Sequence, residues 1–128
     1  MGTRSFIGKL NKDDTITAVY CHFDGYPEHN GKVLINSYIT ESAVDSLING
    51  GDMSSLGATL DECSFYKNLG DRHVDAKTYS SFDEFIRDGR EVWAEFFYLF
   101  NHDFWSCFES DGKRYDLHKI MDDDSEED

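Results

Sequence analysis

The chain has 128 residues, of which 12 are basic and 26 acidic, giving a net charge of −14 at pH 7. This length fits one domain, and an aromatic content of 15% argues against a disordered chain, because such chains are poor in aromatic residues. A field this negative repels nucleic acid and anionic membranes, so the composition disfavours direct binding to either.

Residues 3–9 and 15–23 are predicted to form two strands that a polar turn connects. The second strand has apolar side chains on both of its faces, a pattern typical of a central strand that is covered on each side. One face holds Ile16, Ala18 and Tyr20, and the other holds Val19, Cys21 and Phe23.

Two short helices are predicted next, at residues 32–39 and 43–49, from apolar side chains at helical spacing. Gly50 and Gly51 follow the second helix and can supply the positive φ with which many helices end. Residues 52–58 are predicted to be a loop.

The clearest local signal predicts a third helix at residues 81–87. Ser81 and Glu84 stand at the spacing of a capping box, in which each side chain satisfies a backbone N–H at the helix N-terminus. Gly89 is predicted to close this helix.

Five further segments have strand patterns, and Asp111-Gly112 between the last two is typical of a hairpin turn. Since helices and strands do not alternate strictly, the sequence predicts an α+β fold with a mostly antiparallel sheet and two to three short helices in one compact domain. This domain is predicted to span residues 1–121, and residues 122–128, six of which are acidic, are predicted to be a disordered tail. The five segments are residues 62–66, 74–79, 92–100, 104–108 and 114–117.

Cys21, Cys63 and Cys107 lie far apart in apolar settings, and their odd number argues against a disulfide framework. They are therefore predicted to be reduced and buried. No apolar run approaches the roughly 18 residues of a membrane span, and no apolar signal region follows Arg4. The expected location is the cytoplasm, without membrane association.

The densest polar stretch runs from Tyr20 to Gly31. Cys21 and His22 are neighbours on a strand and would point to opposite faces, which disfavours a Cys–His nucleophile. The stretch has no ligand spacing typical of a metal site, and the chain has no recognisable cofactor motif, so neither group is predicted. A structural turn explains the glycines and the proline of this stretch, but it explains the histidines less well. A ligand-binding site is therefore the other interpretation of the stretch. The candidate ligand-binding residues are Arg4, His22, Asp24, Tyr26, Glu28 and His29.

The segment Tyr20-Cys21-His22-Phe23-Asp24-Gly25-Tyr26-Pro27, followed by Asn30-Gly31, resembles the signature of a family of small tailed-bacteriophage proteins. Residues 3–8, 51–57 and 97–100 are similar to further blocks of that family, while Phe23 stands where a Trp is usual. The resemblance implies a phage origin, a place in the cytoplasm of a host bacterial cell, and a small protein that binds and disables host machinery.

The leading hypothesis is a non-catalytic phage protein whose carboxylates imitate nucleic-acid phosphates and occupy a basic surface on a host defence or nucleic-acid-handling protein. One alternative is a protein that binds or sequesters a nucleotide signal, and another is a small hydrolase using His22, Asp24 or Glu28. The sequence leaves the oligomeric state open. The candidate partner-binding residues are Asp83, Glu84, Asp88, Glu91, Glu95, Asp122, Asp123 and Asp124.

Overall fold

A mixed sheet organises the chain in the computed structural model, which describes residues 3–70, 74–102 and 104–117. Over these residues the sheet has eight strands, and most neighbouring strands run antiparallel. In chain order the strands are β1 (Arg4–Leu10), β2 (Ile16–Cys21), β3 (Met53–Ser55), β4 (Ser64–Phe65), β5 (Lys77–Tyr79), β6 (Ala94–Asn101), β7 (Phe104–Glu109) and β8 (Arg114–Tyr115).

Within the described ranges, three α-helices connect and cover these strands: α1 (Lys32–Ser37), α2 (Glu41–Asn49) and α3 (Phe82–Glu91). A π-helical turn at Pro27–Gly31 leads directly into α1, and shorter 3-10 turns lie at Leu60–Glu62 and Tyr66–Leu69. The predicted α+β class, with a mostly antiparallel sheet and short helices, is confirmed. No helix within the described residues is long and apolar enough to cross a membrane.

The strands follow the order β4-β3-β2-β1-β6-β7-β8 across the sheet. The parallel pairs are β1 with β6 and β2 with β3, and the remaining pairs are antiparallel. Strand β5 also pairs with β2, on the edge that β3 occupies further along, so two short strands share one edge of β2. The gap between β5 and β3 on that edge becomes important for the candidate site.

The part of the chain that the structure describes forms two hydrophobic cores, one on each face of the sheet. Because side chains alternate along a strand, β2 contributes Ile16 and Ala18 to the core under α3, and Val19 and Cys21 to the core under α1 and α2. The prediction of a central strand covered on both sides is therefore confirmed, although this strand spans Ile16–Cys21 and not residues 15–23. The α3 core also contains Phe6, Phe85 and Phe97, and the larger core contains Ile7, Leu34, Val44, Leu47 and Phe100.

The predicted loop at residues 52–58 is wrong in part, because Met53–Ser55 forms β3. The predicted strands at residues 62–66 and 74–79 are also too long, since only Ser64–Phe65 and Lys77–Tyr79 pair. Segments of two or three residues carry too little alternation to be recognised from sequence. Their pairing partners, which lie far away in the chain, determine where they form strands.

Gly89 does not close α3, because the helix continues to Glu91. Gly89 is buried where a Cβ atom would overlap the Phe97 ring, so the glycine is needed for close packing of α3 on β6. The residue that leaves the helix in the left-handed region is Trp93, with φ of 66°. At the end of α2, by contrast, Gly51 adopts a φ of 85°, as predicted.

The N-terminus of α3 confirms half of the predicted capping box. The Ser81 hydroxyl accepts a hydrogen bond from the Glu84 N–H at 3.2 Å. The Glu84 carboxylate does not return to Ser81 but accepts from the N–H and hydroxyl of Ser80, at 3.0 and 2.7 Å. The Glu84 side chain thus binds the residue before the N-cap, whereas in a capping box it would bind the N-cap residue itself. These two hydrogen bonds lower the pKa of Glu84.

Candidate functional site

The polar stretch from Tyr20 to Gly31 is anchored in the fold by its backbone. The Gly25 N–H donates to the Thr3 carbonyl at 2.8 Å, and the buried Tyr98 hydroxyl donates to the Gly25 carbonyl at 2.6 Å. A Cβ on Gly25 would stand 2.7 Å from atoms of Thr3 and Ser5, so only glycine fits here. Much of this stretch therefore has a structural explanation.

Asn30 is fully buried, and its hydrogen bonding explains why a histidine stands next to it at position 29. Its amide nitrogen donates to the Ser5 hydroxyl and the Cys21 sulfur, both at 3.4 Å, and its oxygen lies 2.8 Å from His29 Nδ1. Because a buried amide needs partners for all of its polar atoms, His29 is positioned to stabilise Asn30. This arrangement gives His29 a structural role.

Cys21 is unsuited to nucleophilic catalysis. Its thiol is buried and donates to the Phe23 carbonyl at 3.5 Å. Burial raises the pKa of this thiol to about 11, and the thiolate is the reactive form. Cys63 and Cys107 are also free and buried, as predicted. Within the described ranges, no group of three or more His, Cys, Asp or Glu side chains could hold a metal ion.

The six candidate ligand-binding residues do not form one site. Asp24, Tyr26, Glu28 and His29 lie in or beside the π-helical turn, where the Tyr26 hydroxyl donates to the Asp24 carboxylate at 3.4 Å. Arg4 belongs to a cleft beside α3, and His22 contacts a residue of that cleft. The predicted set is therefore divided between two regions.

The cleft beside α3 has a volume of about 330 Å³ and is lined by Ala18, Val19 and Tyr20 of β2. At one end, Arg4 Nη1 donates to the Val92 carbonyl at 3.1 Å. The Tyr20 hydroxyl lies 2.6 Å from His22 Nδ1. Phe6, Ala18 and Val92 supply apolar surface, and the polar lining comes from Arg4, Tyr20, Asp52, Lys77, Tyr79 and Asp88.

Asp52 fills the gap in the sheet edge beside β2. Strand β5 pairs with β2 as far as Ala18, and β3 pairs with it at Cys21, which leaves Tyr20 between them. The Tyr20 N–H donates to Asp52 Oδ1 at 2.9 Å, so a side-chain carboxylate replaces the missing strand partner. Burial raises the pKa of Asp52 above its ordinary value.

Tyr79 and Lys77 form the far wall of the cleft, on β5. The Tyr79 hydroxyl donates to Asp88 Oδ2 at 2.5 Å, which joins β5 to α3. Burial, and then this bond, raise the pKa of Tyr79. Lys77 is exposed, and within the described residues neither it nor Arg4 forms an ion pair. Both cations are therefore available to a ligand.

The predicted acidic surface on α3 is more mixed than the sequence indicated. Glu84 and Asp88 are half-buried and engaged with Ser80 and Tyr79. Arg87 and Arg90 interrupt the row of carboxylates. Asp83, Glu91 and Glu95 are exposed, and within the described residues none of them forms an ion pair. The candidates Asp122, Asp123 and Asp124 lie outside the described residues.

Trp93 stands between two of these free carboxylates and is 75% exposed. It follows the last residues of α3, and its N–H donates to the Arg90 carbonyl at 3.1 Å. This is the position at which helices commonly end in a left-handed residue, usually glycine. A bulky residue there is a conformational outlier. The end of α3 thus exposes a large aromatic ring on a residue that lies two positions from Glu91 and two from Glu95 in the chain.

The chain matches no protein-family model, no curated protein and no solved structure. The phage resemblance of the Tyr20–Gly31 stretch therefore stays a prediction.

Sequence reasoning missed Asp52, Lys77 and Tyr79 in the cleft, and it assigned Trp93 to a strand. Asp52 lay in a predicted loop, with no pattern to connect it to Tyr20. For Trp93 a signal did exist, because the segment Glu91-Val92-Trp93-Ala94-Glu95 places a large aromatic between two carboxylates.

Proposed function

We propose that this protein is a phage-encoded acidic binding protein that inhibits a host defence or nucleic-acid-handling protein by occupying a basic surface. The observation that carries the proposal is the exposed, left-handed Trp93 between Glu91 and Glu95. These three residues define what is called here the Trp93 surface.

The conformation of Trp93 argues for a role in binding. A left-handed φ costs a residue with a Cβ about 1–2 kcal/mol, and the exposed ring recovers little of this by packing. Glycine would adopt the left-handed conformation at this helix end at a lower conformational energy. Strained residues of this kind cluster at functional sites, and Trp is among the residues most enriched at binding hot spots.

The charge of the molecule indicates the chemistry of the partner. Residues 1–121 carry 12 basic and 20 acidic side chains, a net charge of −8, and residues 122–128 add six carboxylates. Such a field favours encounter with a basic surface and disfavours an acidic one. Trp93 can also stack on Arg or Lys side chains. An Arg- and Lys-rich protein surface therefore complements the Trp93 surface.

The test is a pull-down of bacterial proteins by the tagged full-length chain at low and high salt, with each variant compared to the wild type. We expect a basic protein to be recovered at low salt and released at high salt. Its recovery should fall about tenfold or more with Trp93→Ala, as for a hot-spot residue, and should fall also with the pair Glu91→Gln and Glu95→Gln.

The matched control is the pair Asp61→Asn and Glu62→Gln, which removes the same charge from an exposed turn elsewhere. This control should keep the partner, and the purified partner should lose its own nucleic-acid binding when the wild-type chain is added. Equal recovery by all variants, or a partner whose activity is unaffected, would contradict the proposal.

The cleft beside α3 favours the ligand-binding alternative as a second activity. The hydrolase alternative has less support, because within the described residues no hydrogen bond joins His22 to Asp24 or Glu28.

A further inference from the structure

We infer that the cleft beside α3 binds a small molecule carrying both an anionic group, either carboxylate or phosphate, and an amino group. The cleft adjoins the Trp93 surface at Val92, but ligand binding there does not depend on the proposed inhibition. Free amino acids have this chemistry, as do mononucleotides whose base carries an exocyclic amino group.

The anionic group is held by Arg4 and Lys77. Arg4 uses one guanidinium nitrogen to bind the Val92 carbonyl, which fixes the side chain and leaves its other N–H groups for a ligand. Lys77 reaches the same cleft from β5. Charge-assisted hydrogen bonds from these cations to an oxyanion are among the stronger polar contacts.

The amino group is held by Asp52 and Asp88. Each carboxylate already accepts one hydrogen bond, from the Tyr20 N–H for Asp52 and from the Tyr79 hydroxyl for Asp88. A carboxylate has about four acceptor positions, so both retain capacity for a donor within the cleft. Their existing bonds orient them, since Asp52 is bound to β2 and Asp88 to β5.

The charge balance of the cleft selects a ligand with groups of both kinds. Arg4 and Lys77 offset Asp52 and Asp88, in a protein whose overall charge is −14. At physiological salt, charges beyond about 8 Å are largely screened, so these local groups determine the affinity. A simple anion would offer the remaining acceptor positions of the two carboxylates no donor. The apolar floor of Phe6, Ala18 and Val92 accommodates the body of the ligand.

The experiment follows backbone amide shifts by NMR while the full-length protein is titrated with each probe. The probes are the standard amino acids, the nucleoside 5′-monophosphates and inorganic phosphate. We expect at least one amino acid or mononucleotide to shift the amides of Tyr20, Asp52, Lys77 and Asp88 in a saturable way. Arg4→Gln and Lys77→Gln should each weaken that binding about tenfold or more.

Lys113→Gln is the matched control, because Lys113 is well exposed on the hairpin between β7 and β8 and far from the cleft in the sheet order. Its affinity should equal that of the wild type. The spectra themselves show whether each variant is folded. The class of the successful probe distinguishes an amino-acid ligand from a nucleotide.

Three results would overturn the inference. The first is the absence of saturable shifts in the cleft with every probe at about 10 mM, a concentration well above the dissociation constants of specific small-molecule sites. The second is binding that persists unchanged in Arg4→Gln and Lys77→Gln. The third is inorganic phosphate binding as tightly as the best probe, which would remove the role assigned to Asp52 and Asp88.

Discussion

Trp93 illustrates at the residue scale how a local preference can be overridden. The end of α3 requires a left-handed residue, and the chain places its bulkiest side chain there. Neither the larger core nor the α3 core includes that ring, since it is 75% exposed. Substitutions at position 93 can therefore separate the effect of the left-handed backbone from the effect of the Trp side chain.

Replacing Trp93 by glycine should give a more stable protein than replacing it by alanine. Both changes remove the ring, but only glycine relieves the left-handed conformation, so the free energy of unfolding should differ by about 1 kcal/mol in favour of Trp93→Gly. Urea denaturation of the two variants measures this difference. Equal stabilities would show that the positive φ carries no strain.

Asp52 allows a second prediction at this scale. Asp52→Ala leaves the Tyr20 N–H without its partner and should lower the free energy of unfolding by about 1–3 kcal/mol. Asp52→Asn keeps an acceptor oxygen and should cost less. Urea denaturation of both variants tests the order, and it would be contradicted if Asp52→Ala were the more stable.

The pH dependence of the Asp52→Asn variant tests the raised pKa. A carboxyl whose folded pKa lies above its unfolded value destabilises the protein above the folded pKa, and this cost disappears as the pH falls through it. The stability of Asp52→Asn relative to the wild type should therefore decrease from pH 7 to about pH 4. A difference that is independent of pH would contradict the assignment.

At the scale of elements, α3 depends on close contact with the sheet. Gly89→Ala would raise helix propensity by about 1 kcal/mol, yet its Cβ would overlap the buried Phe97 ring. We expect the overlap to dominate and the variant to lose about 1–3 kcal/mol of stability. Arg87→Ala on the exposed side of the same helix is the control and should change stability by less than about 0.5 kcal/mol. A stabilised Gly89→Ala would show that the helix can move away from β6.

The N-terminus of α3 gives a further prediction. Ser81→Ala removes the acceptor for the Glu84 N–H and should lower the free energy of unfolding by about 1 kcal/mol. Ser46→Ala, at an exposed position inside α2, removes a hydroxyl that has no capping role and should be neutral or slightly stabilising. Thermal denaturation of both variants distinguishes these outcomes, and equal melting temperatures would contradict the cap.

The sequence predicts elements that carry their own pattern and fails for those that do not. The central strand β2 was recognisable because its alternation is apolar on both faces, and α3 because of its N-terminal cap. By contrast, β3 and β4 are two or three residues long and form only because distant strands meet them. The cleft beside α3 was missed for the same reason. Its lining comes from β1, β2, β5, α3, the residue after α3 and the residue before β3, and no spacing in the chain joins these segments.

The excess of carboxylates affects the molecule as a whole. Lys9 offsets part of it by pairing with Glu41 and Asp45 of α2, at 2.8 and 2.7 Å. The net charge of −14 still leaves more repulsion than attraction. Added salt should therefore stabilise the fold.

Raising the NaCl concentration from about 0.01 M to about 1 M shortens the screening length from about 30 Å to about 3 Å. We expect the melting temperature to rise by several degrees, because repulsion among carboxylates is weakened more than the few ion pairs. Calorimetry in both buffers measures the shift. A lower melting temperature in high salt would mean that ion pairs dominate the electrostatics.

Because the three cysteines are buried, the reaction of their thiols with a reagent in solution requires local opening of the fold. Burial raises the pKa of Cys107 to about 12, as it raises that of Cys21 to about 11, so both sulfurs are protonated and shielded while the chain is folded. Cys21 lies in the centre of the sheet and Cys107 on β7. The rates at which an alkylating reagent modifies these two positions would therefore report how often each half of the sheet opens.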